Sequence, residues 1–259
     1  MSGFLFNDIV FGPVMSRRLG VSLGINLLPL NKKVCSFNCI YCECGWTDSL
    51  PTGEMYFFTP LEISAAMENR FIELHDENIK IEAVTFAGNG EPTLHPDFNQ
   101  IIENTLFLRD KYLKGAEVIV LSNATTITRP LVLDALKKAD KSIMKLDAGD
   151  DELFRLINQP LTSITRKKII NNLKLFEGKI IIQSMFLRGE FKGKPIDNTG
   201  EKVVDIWIKE LKQINPEYVM IYPIARNTPV EGLKKINPDE LNIIAAKVQK
   251  EGIKANIYP

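Results

Sequence analysis

The sequence predicts an α/β protein built on a parallel sheet, and three observations carry that expectation. Short β-branched runs alternate with longer helix-patterned segments along the whole chain. Prolines and glycines punctuate those segments where helices should start and stop. The residues richest in chemistry fall just after strand runs, where α/β folds place their ligand sites.

The strand runs are 21–28 (VSLGINLL), 81–87 (IEAVTFA), 117–122 (EVIVLS), 142–147 (SIMKLD), 179–186 (KIIIQSMF) and 217–223 (EYVMIYP), with a short seventh at 253–257 (IKANI). Between them the spacing predicts helices over 60–75, 97–111, 129–139, 150–158 with 163–177, 200–214 and 238–250. Thr59-Pro60 and Asn237-Pro238 each put a capping side chain before a proline at the first helical position. Gly115, Gly178 and Gly252 stand where helices should end. Parallel neighbours need a long crossover, which these helices supply. Six such units make either an open doubly wound sheet or a closed or partial (β/α) barrel, and periodicity alone does not choose.

Composition narrows the class further. Hydrophobic residues make up 45% of the chain and charged residues 25%, the balance of a soluble globular protein. Lys plus Arg equals Asp plus Glu at 32 each, which argues against a strongly basic nucleic-acid binder. No apolar run approaches the ~18 residues of a membrane span. The opening "MSGFLFNDIVFGP" lacks a basic segment and carries Asp8, so a secretory signal is not expected and the cytoplasm is the expected compartment. Clustered cysteines in that reducing setting point to metal or redox chemistry rather than disulfides.

All four cysteines fall within ten positions, at Cys35, Cys39, Cys42 and Cys44. The first three are spaced as one helix face would space them, yet Asn31 and Lys32 precede the stripe and Gly45 closes it, so it does not extend. Packed thiolates repel unless a cation neutralises them, which makes a metal centre the better explanation. Zinc would use all four sulfurs. An iron–sulfur cubane would use three and leave one iron open. A second constellation, "TFAGNGEPTLHPDF", follows the 81–87 run. Gly88 and Gly90 remove side chains beside a strand end, Glu91 offers a carboxylate, and Pro92 stiffens the exit. A glycine turn between strand and helix would look similar, and no dinucleotide fingerprint is present.

"CSFNCIYC", with Tyr41 just before the third cysteine, resembles the C-x3-C-x-aromatic-C signature of the radical S-adenosylmethionine (radical SAM) enzymes. "GNGEP" is similar to their Gly-Gly-Glu-Pro motif, with Asn89 as a departure. The resemblance implies a partial (β/α)6 TIM-like barrel, a single core domain over 1–259 with residues 1–20 as an extension packed on it, and 188–202 as a mobile loop. It implies that Cys35, Cys39 and Cys42 hold a [4Fe–4S] cluster whose fourth iron is chelated by S-adenosyl-L-methionine (SAM). Reductive cleavage of SAM then gives a 5′-deoxyadenosyl radical for hydrogen abstraction. Gly88, Asn89, Gly90, Glu91, Tyr41, Asn123 and Gln183 would bind the cofactor, while Cys44 falls outside the pattern. An oxidoreductase fed by an electron donor such as flavodoxin or ferredoxin is implied.

Strand parity within such a barrel turns Met144 and Leu146 toward the helices and Lys145 and Asp147 inward, as catalytic candidates. Asn123, Gln183 and Tyr222 are further wall candidates, and a salt-bridged strand end would explain Lys145 and Asp147 equally well. "GPVMSRRLGVSLGINLLP", "KLDAGD" and "YPIAR" are similar to a short branch near the wyosine-synthesising (tRNA 4-demethylwyosine synthase-like) proteins, which makes a tRNA nucleoside one candidate substrate. No second cysteine set precedes Cys35. Arg17 and Arg18 are either ligand contacts or surface charges, and Arg188, Lys192 and Lys194 would be an RNA-contacting element. His75 and His95 read as structural. Two other functions fit the residues: an activase that makes a radical on a partner protein, and a zinc-stabilised RNA-binding module.

Overall fold

The computed structural model describes residues 3–48 and 56–259. Among the described residues ten strands form one sheet: β1 (Val10–Ser16), β2 (Gly20–Ile25), β3 (Ala83–Phe86), β4 (Glu117–Ser122), β5 (Lys141–Lys145), β6 (Ile181–Phe191), β7 (Lys194–Asp197), β8 (Tyr218–Pro223), β9 (Lys234–Lys235) and β10 (Ala255–Ile257). The helices are α1 (Pro60–Asp76), α2 (Phe98–Tyr112), α3 (Pro130–Lys138), α4 (Asp151–Asn158), α5 (Arg166–Lys174), α6 (Glu201–Ile214) and α7 (Pro238–Lys250). A 3-10 turn, Pro92–Leu94, precedes α2.

The main path through the sheet runs β1-β2-β3-β4-β5-β6-β8-β10, in chain order. From β2 to β10 every neighbour is parallel. A doubly wound sheet reverses its strand order at a switch point, and this one never does. The fold is therefore a singly wound partial barrel, open between its edge strands β1 and β10. Helix ends follow the expected chemistry: Thr59 and Glu62 form a reciprocal capping box on α1, and the Asn237 side chain accepts from Glu240 N on α7.

Strand parity divides the side chains into two cores. Outward residues such as Val84, Phe86, Val118, Val120, Met144 and Leu146 pack beneath the helices in the large core. Inward, Ala83, Ile119, Ile143, Ile181 and Met220 make a separate apolar floor, with Leu19 against it. Two residues further along the same strands stand Thr85, Leu121, Lys145, Gln183 and Tyr222, which line a cavity above that floor. The barrel is thus dry at its amino end and polar at its carboxyl end.

Three strands depart from the sequence reading. β1 pairs antiparallel with β2, and its register shifts between Phe11 and Val14, around Pro13. Proline has no N–H for the ladder and belongs on an edge, which is why this run did not read as a strand. Residues 188–202, expected as a loop, instead extend β6 and turn back as β7, with β9 paired on the other side. The turn is Lys192-Gly193, both at positive φ (52° and 73°), the geometry of a tight hairpin. Nor are Arg188 and Lys194 of this segment free. Arg188 pairs with Asp197 at 3.0 Å and Glu240 at 2.6 Å, and Lys194 with Glu152 at 3.5 Å.

Trp207 of α6 locks the helix layer to the site. Its indole meets Phe186 edge-on at 5.2 Å, and its Nε1 donates to Leu146 O at 3.0 Å. Trp207→Ala is expected to cost about 3–5 kcal/mol in urea unfolding, the usual cost of emptying a buried aromatic position.

Candidate active site

At the carboxyl ends of the strands the inner wall encloses a cavity of about 730 Å3. That is within the range of roughly 300–1,000 Å3 typical of small-ligand sites. The cysteine loop forms its roof. Loop and β3 end are joined by backbone: Val34 N donates to Asn89 O at 2.8 Å and Glu91 N to Val34 O at 3.0 Å. This contact requires glycine at position 90, where φ is 139° and a Cβ would lie 1.9 Å from Val34 O. On its other side the loop docks against the end of α4, with Asn38 N on Gln159 O at 3.0 Å and Ile40 N on Ile157 O at 2.9 Å. Lys33, buried beneath the loop, donates to Gly45 O at 2.7 Å and so closes it.

All four cysteines line the cavity and none is in a disulfide. Cys35 Sγ faces Phe37 N at 3.4 Å and Asn123 Nδ2 at 3.6 Å, and Cys39 Sγ faces Asn158 Nδ2 at 3.5 Å. Burial pushes the Cys35 thiol up to about 12 and raises Cys39 as well, against the opposing pull of Lys33 and, for Cys39, Lys145. Cys42 is instead drawn down to about 5, chiefly because the Cys44 thiol donates to it, and Cys44 is raised for the same reason. Burial works against the Lys33 ammonium, but the surrounding sulfurs outweigh it and raise its pKa. Soft thiolate donors with amide N–H groups aimed at sulfur are what an iron–sulfur cluster takes from a protein. Among the described residues no three His, Cys, Asp or Glu side chains are disposed to share a single ion.

Asp147 is the hub beneath the roof, its side chain wholly buried. Oδ2 accepts from the Tyr41 hydroxyl and from Asn158 Nδ2 at 2.8 Å, and Oδ1 accepts from Met185 N at 2.9 Å. Lys145 Nζ lies 3.5 Å from Asp147 Oδ2 and donates to the Tyr41 oxygen. One carboxylate thereby ties the cysteine loop to β5, β6 and α4. Lys145, Tyr41, Gln183, Asn123, Gly88, Gly90 and Glu91 all line the cavity. Glu91 is buried, and burial raises its pKa despite four donors. Its Oε1 accepts from Thr93 N, Thr93 Oγ1 and Ser122 Oγ, whereas Oε2 accepts from Asn123 N alone.

Asn89 does not join them. It is fully buried, and its side chain bonds to Phe6 N, Phe6 O and Pro29 O at 2.8–3.0 Å. The chain turns tightly here, with Gly90 N on Gly88 O at 2.8 Å and both glycines at positive φ, so that Gly88 and Gly90 border the cavity while Asn89 pins the N-terminal segment. Asn158 and Lys33 escaped the sequence reading because neither belongs to a motif; each matters only through what folding brings beside it. His95 is structural, as expected: Nε2 is 2.9 Å from Phe58 O and Nδ1 accepts from Asp97 N at 3.1 Å.

Asp147→Ala leaves the Lys145 ammonium without its anion, and a loss of about 3–5 kcal/mol is expected in chemical denaturation. His95 gives a pH signature. Burial lowers its pKa, so its neutral form stabilises the fold above the unfolded-state value of about 6.5 and that contribution is lost as pH falls below it. Melting temperature should therefore drop between about pH 7 and 5, and less so in His95→Gln.

Comparison with known proteins places this geometry. The family profile described as Radical SAM superfamily matches residues 33–196. A protein named GTPase Obg from Brachyspira hyodysenteriae is 33% identical over 236 residues, 90% of this chain and 32% of that protein, so the chain spans about a third of that relative's length. A UPF0026 protein from Methanocaldococcus jannaschii is 32% identical over 242 residues, covering 91% of this chain and 68% of the relative. A radical SAM methyltransferase from Sphaerobacter thermophilus superposes with a TM-score of 0.66 at 14% identity, over 91% of this chain and 65% of that one.

Proposed function

Because the chain belongs to the radical SAM superfamily, we propose that Cys35, Cys39 and Cys42 hold a [4Fe–4S] cluster on which SAM is bound and reductively cleaved. One observation carries this reading. The cysteine roof and the Gly88–Glu91 strand end, distant in sequence, are hydrogen-bonded into one wall of the same cavity. Bound there, the cluster would supply an electron to the sulfonium and so generate the radical that abstracts hydrogen from substrate.

The chain's own residues hold and tune that centre. Asn123 and Asn158 direct amide donors at Cys35 and Cys39, and Lys33 offsets the negative charge of the sulfurs. Gly88 and Gly90 border the strand end where the methionyl ammonium would approach, and the absence of a Cβ lets that end pack against Asn26 and the Val34 carbonyl. Glu91 Oε2, with a single donor, has acceptor capacity left for it. Lys145 presents a cation from the opposite wall, held by Asp147 and Tyr41. A low-potential donor of the flavodoxin or ferredoxin kind would supply the electron.

The substrate is the finer question. A tRNA nucleoside is favoured by the resemblance of the sequence to the wyosine branch, whereas two of the three hairpin cations that would have contacted RNA, Arg188 and Lys194, are engaged with carboxylates. Among the described residues no helix is long and apolar enough to cross a membrane.

Anaerobically reconstituted protein is expected to contain iron and acid-labile sulfide and, with dithionite and SAM, to release 5′-deoxyadenosine. Cys39→Ala should abolish both. Cys44→Ala should keep iron and sulfide, since that thiol lies outside the three-cysteine pattern and is 3.4 Å from Gly88 O. One zinc per chain, no sulfide and loss of metal in Cys44→Ala would contradict the proposal.

A further inference from the structure

Six cationic side chains line the cavity, Arg17, Arg18, Lys33, Lys145, Arg226 and Lys235, against two carboxylates, Glu43 and Glu91. In a chain whose net charge is zero, that imbalance is local. Several of the cations are engaged elsewhere. Lys33 closes the cysteine loop, Lys145 pairs with Asp147, Arg226 holds Glu43, and Arg17 donates to the Pro259 carbonyl. Arg18 is different.

Arg18 leaves the turn between β1 and β2 and reaches across the open seam to the far wall. Its guanidinium lies 4.5 Å over the Tyr222 ring, and Nη1 donates to Gln183 Oε1 at 2.7 Å. Among the described residues no Asp or Glu oxygen comes within 4.0 Å of it. One of its five N–H donors is used by that bond, and the residue is only half-buried. Gln183 uses Oε1 for Arg18, with Tyr222 Oη 3.4 Å from the same oxygen, and its Nε2 has no partner among the described residues. The pair therefore presents a positively charged fork and an amide donor to one space.

A strap across the seam would not require this arrangement. Were Arg18 needed only to hold β6 and β8 to β1, a carboxylate at position 183 would hold it more strongly and cancel its charge. The neutral amide fixes the guanidinium while leaving its charge available. Stacking on Tyr222 fixes the plane of the fork, as recognition of a planar or tetrahedral oxyanion demands. Lys145, close to the cysteine roof, is better placed for SAM.

We propose that Arg18 and Gln183 bind a carboxylate or phosphate group of a small-molecule substrate within the cavity. The assignment rests on the proposed function only in taking this cavity as the active site. It is tested by binding, without SAM cleavage, so the two can fail separately.

Calorimetric titration of the anaerobic holoprotein with ribose 5-phosphate, glutarate and ribose distinguishes the two oxyanion sources from a neutral control, with SAM titrated in parallel. Ribose 5-phosphate or glutarate should bind and ribose should not. Arg18→Gln and Gln183→Glu should each weaken that binding by about tenfold or more, while SAM affinity changes by less than about threefold. Gln183→Glu supplies its own carboxylate to Arg18, so its melting temperature should hold or rise even as oxyanion binding is lost. A purely structural Arg18 predicts the opposite: oxyanion binding unaffected by Gln183→Glu. That result overturns the proposal, as does a loss of SAM affinity equal to the loss of oxyanion affinity. Failure of both probes to bind, including the case where the holoprotein binds tRNA alone, overturns it as well.

Discussion

Everything at the mouth of this barrel depends on how closely two backbones approach. The Val34 carbonyl comes so near residue 90 that a Cβ there would lie 1.9 Å away, and the hydrogen bonds on either side of that contact fix the cysteine loop to the end of β3. A methyl group at this point would have to be met by moving one backbone or the other. The glycine that the motif presents as room for a ligand is thus first of all room for the chain itself. At the neighbouring Gly88 a Cβ would likewise meet the chain, 2.5 Å from Asn26 Oδ1.

Asp147 performs the complementary task from below. Burying a carboxylate is costly unless it is paired and fully hydrogen-bonded, and here an ammonium, a phenol, an amide and a peptide N–H share it. The arrangement spreads one negative charge over contacts to the cysteine loop, β5, β6 and α4. It also brings the Cys39 sulfur and the Asp147 carboxylate to the same amide, that of Asn158. Roof and wall are consequently one polar network, standing on the apolar floor of Ala83, Ile119, Ile143, Ile181 and Met220.

Much of this was legible because local rules and tertiary structure agree. α7 begins and ends where Asn237, Pro238 and Gly252 signal it, and the parity of "SIMKLD" sorts Met144 and Leu146 from Lys145 correctly. What stayed hidden has physical causes. β1 carries a proline and pairs as an antiparallel edge, outside the βα rhythm. The β6–β7 hairpin turns on Lys192-Gly193, a weaker signal than Asn-Gly or Asp-Gly. Asn89 was grouped with its neighbours because a motif is read as a run, while the tight turn between Gly88 and Gly90 sends its side chain to Phe6 and Pro29. Arg18 could be read as a contact or as surface until its partners on β6 and β8 were known, since those lie 165 and 204 positions away.

The central claim is that three of the four sulfurs hold a cluster with one iron left open to the methionyl end of SAM. Electron paramagnetic resonance of the dithionite-reduced protein, with and without SAM labelled with nitrogen-15 at the amino group, tests it most directly. The account predicts a reduced [4Fe–4S] signal that shifts on adding SAM and acquires a nitrogen-15 hyperfine coupling. A spectrum that SAM leaves unmoved and uncoupled would contradict it.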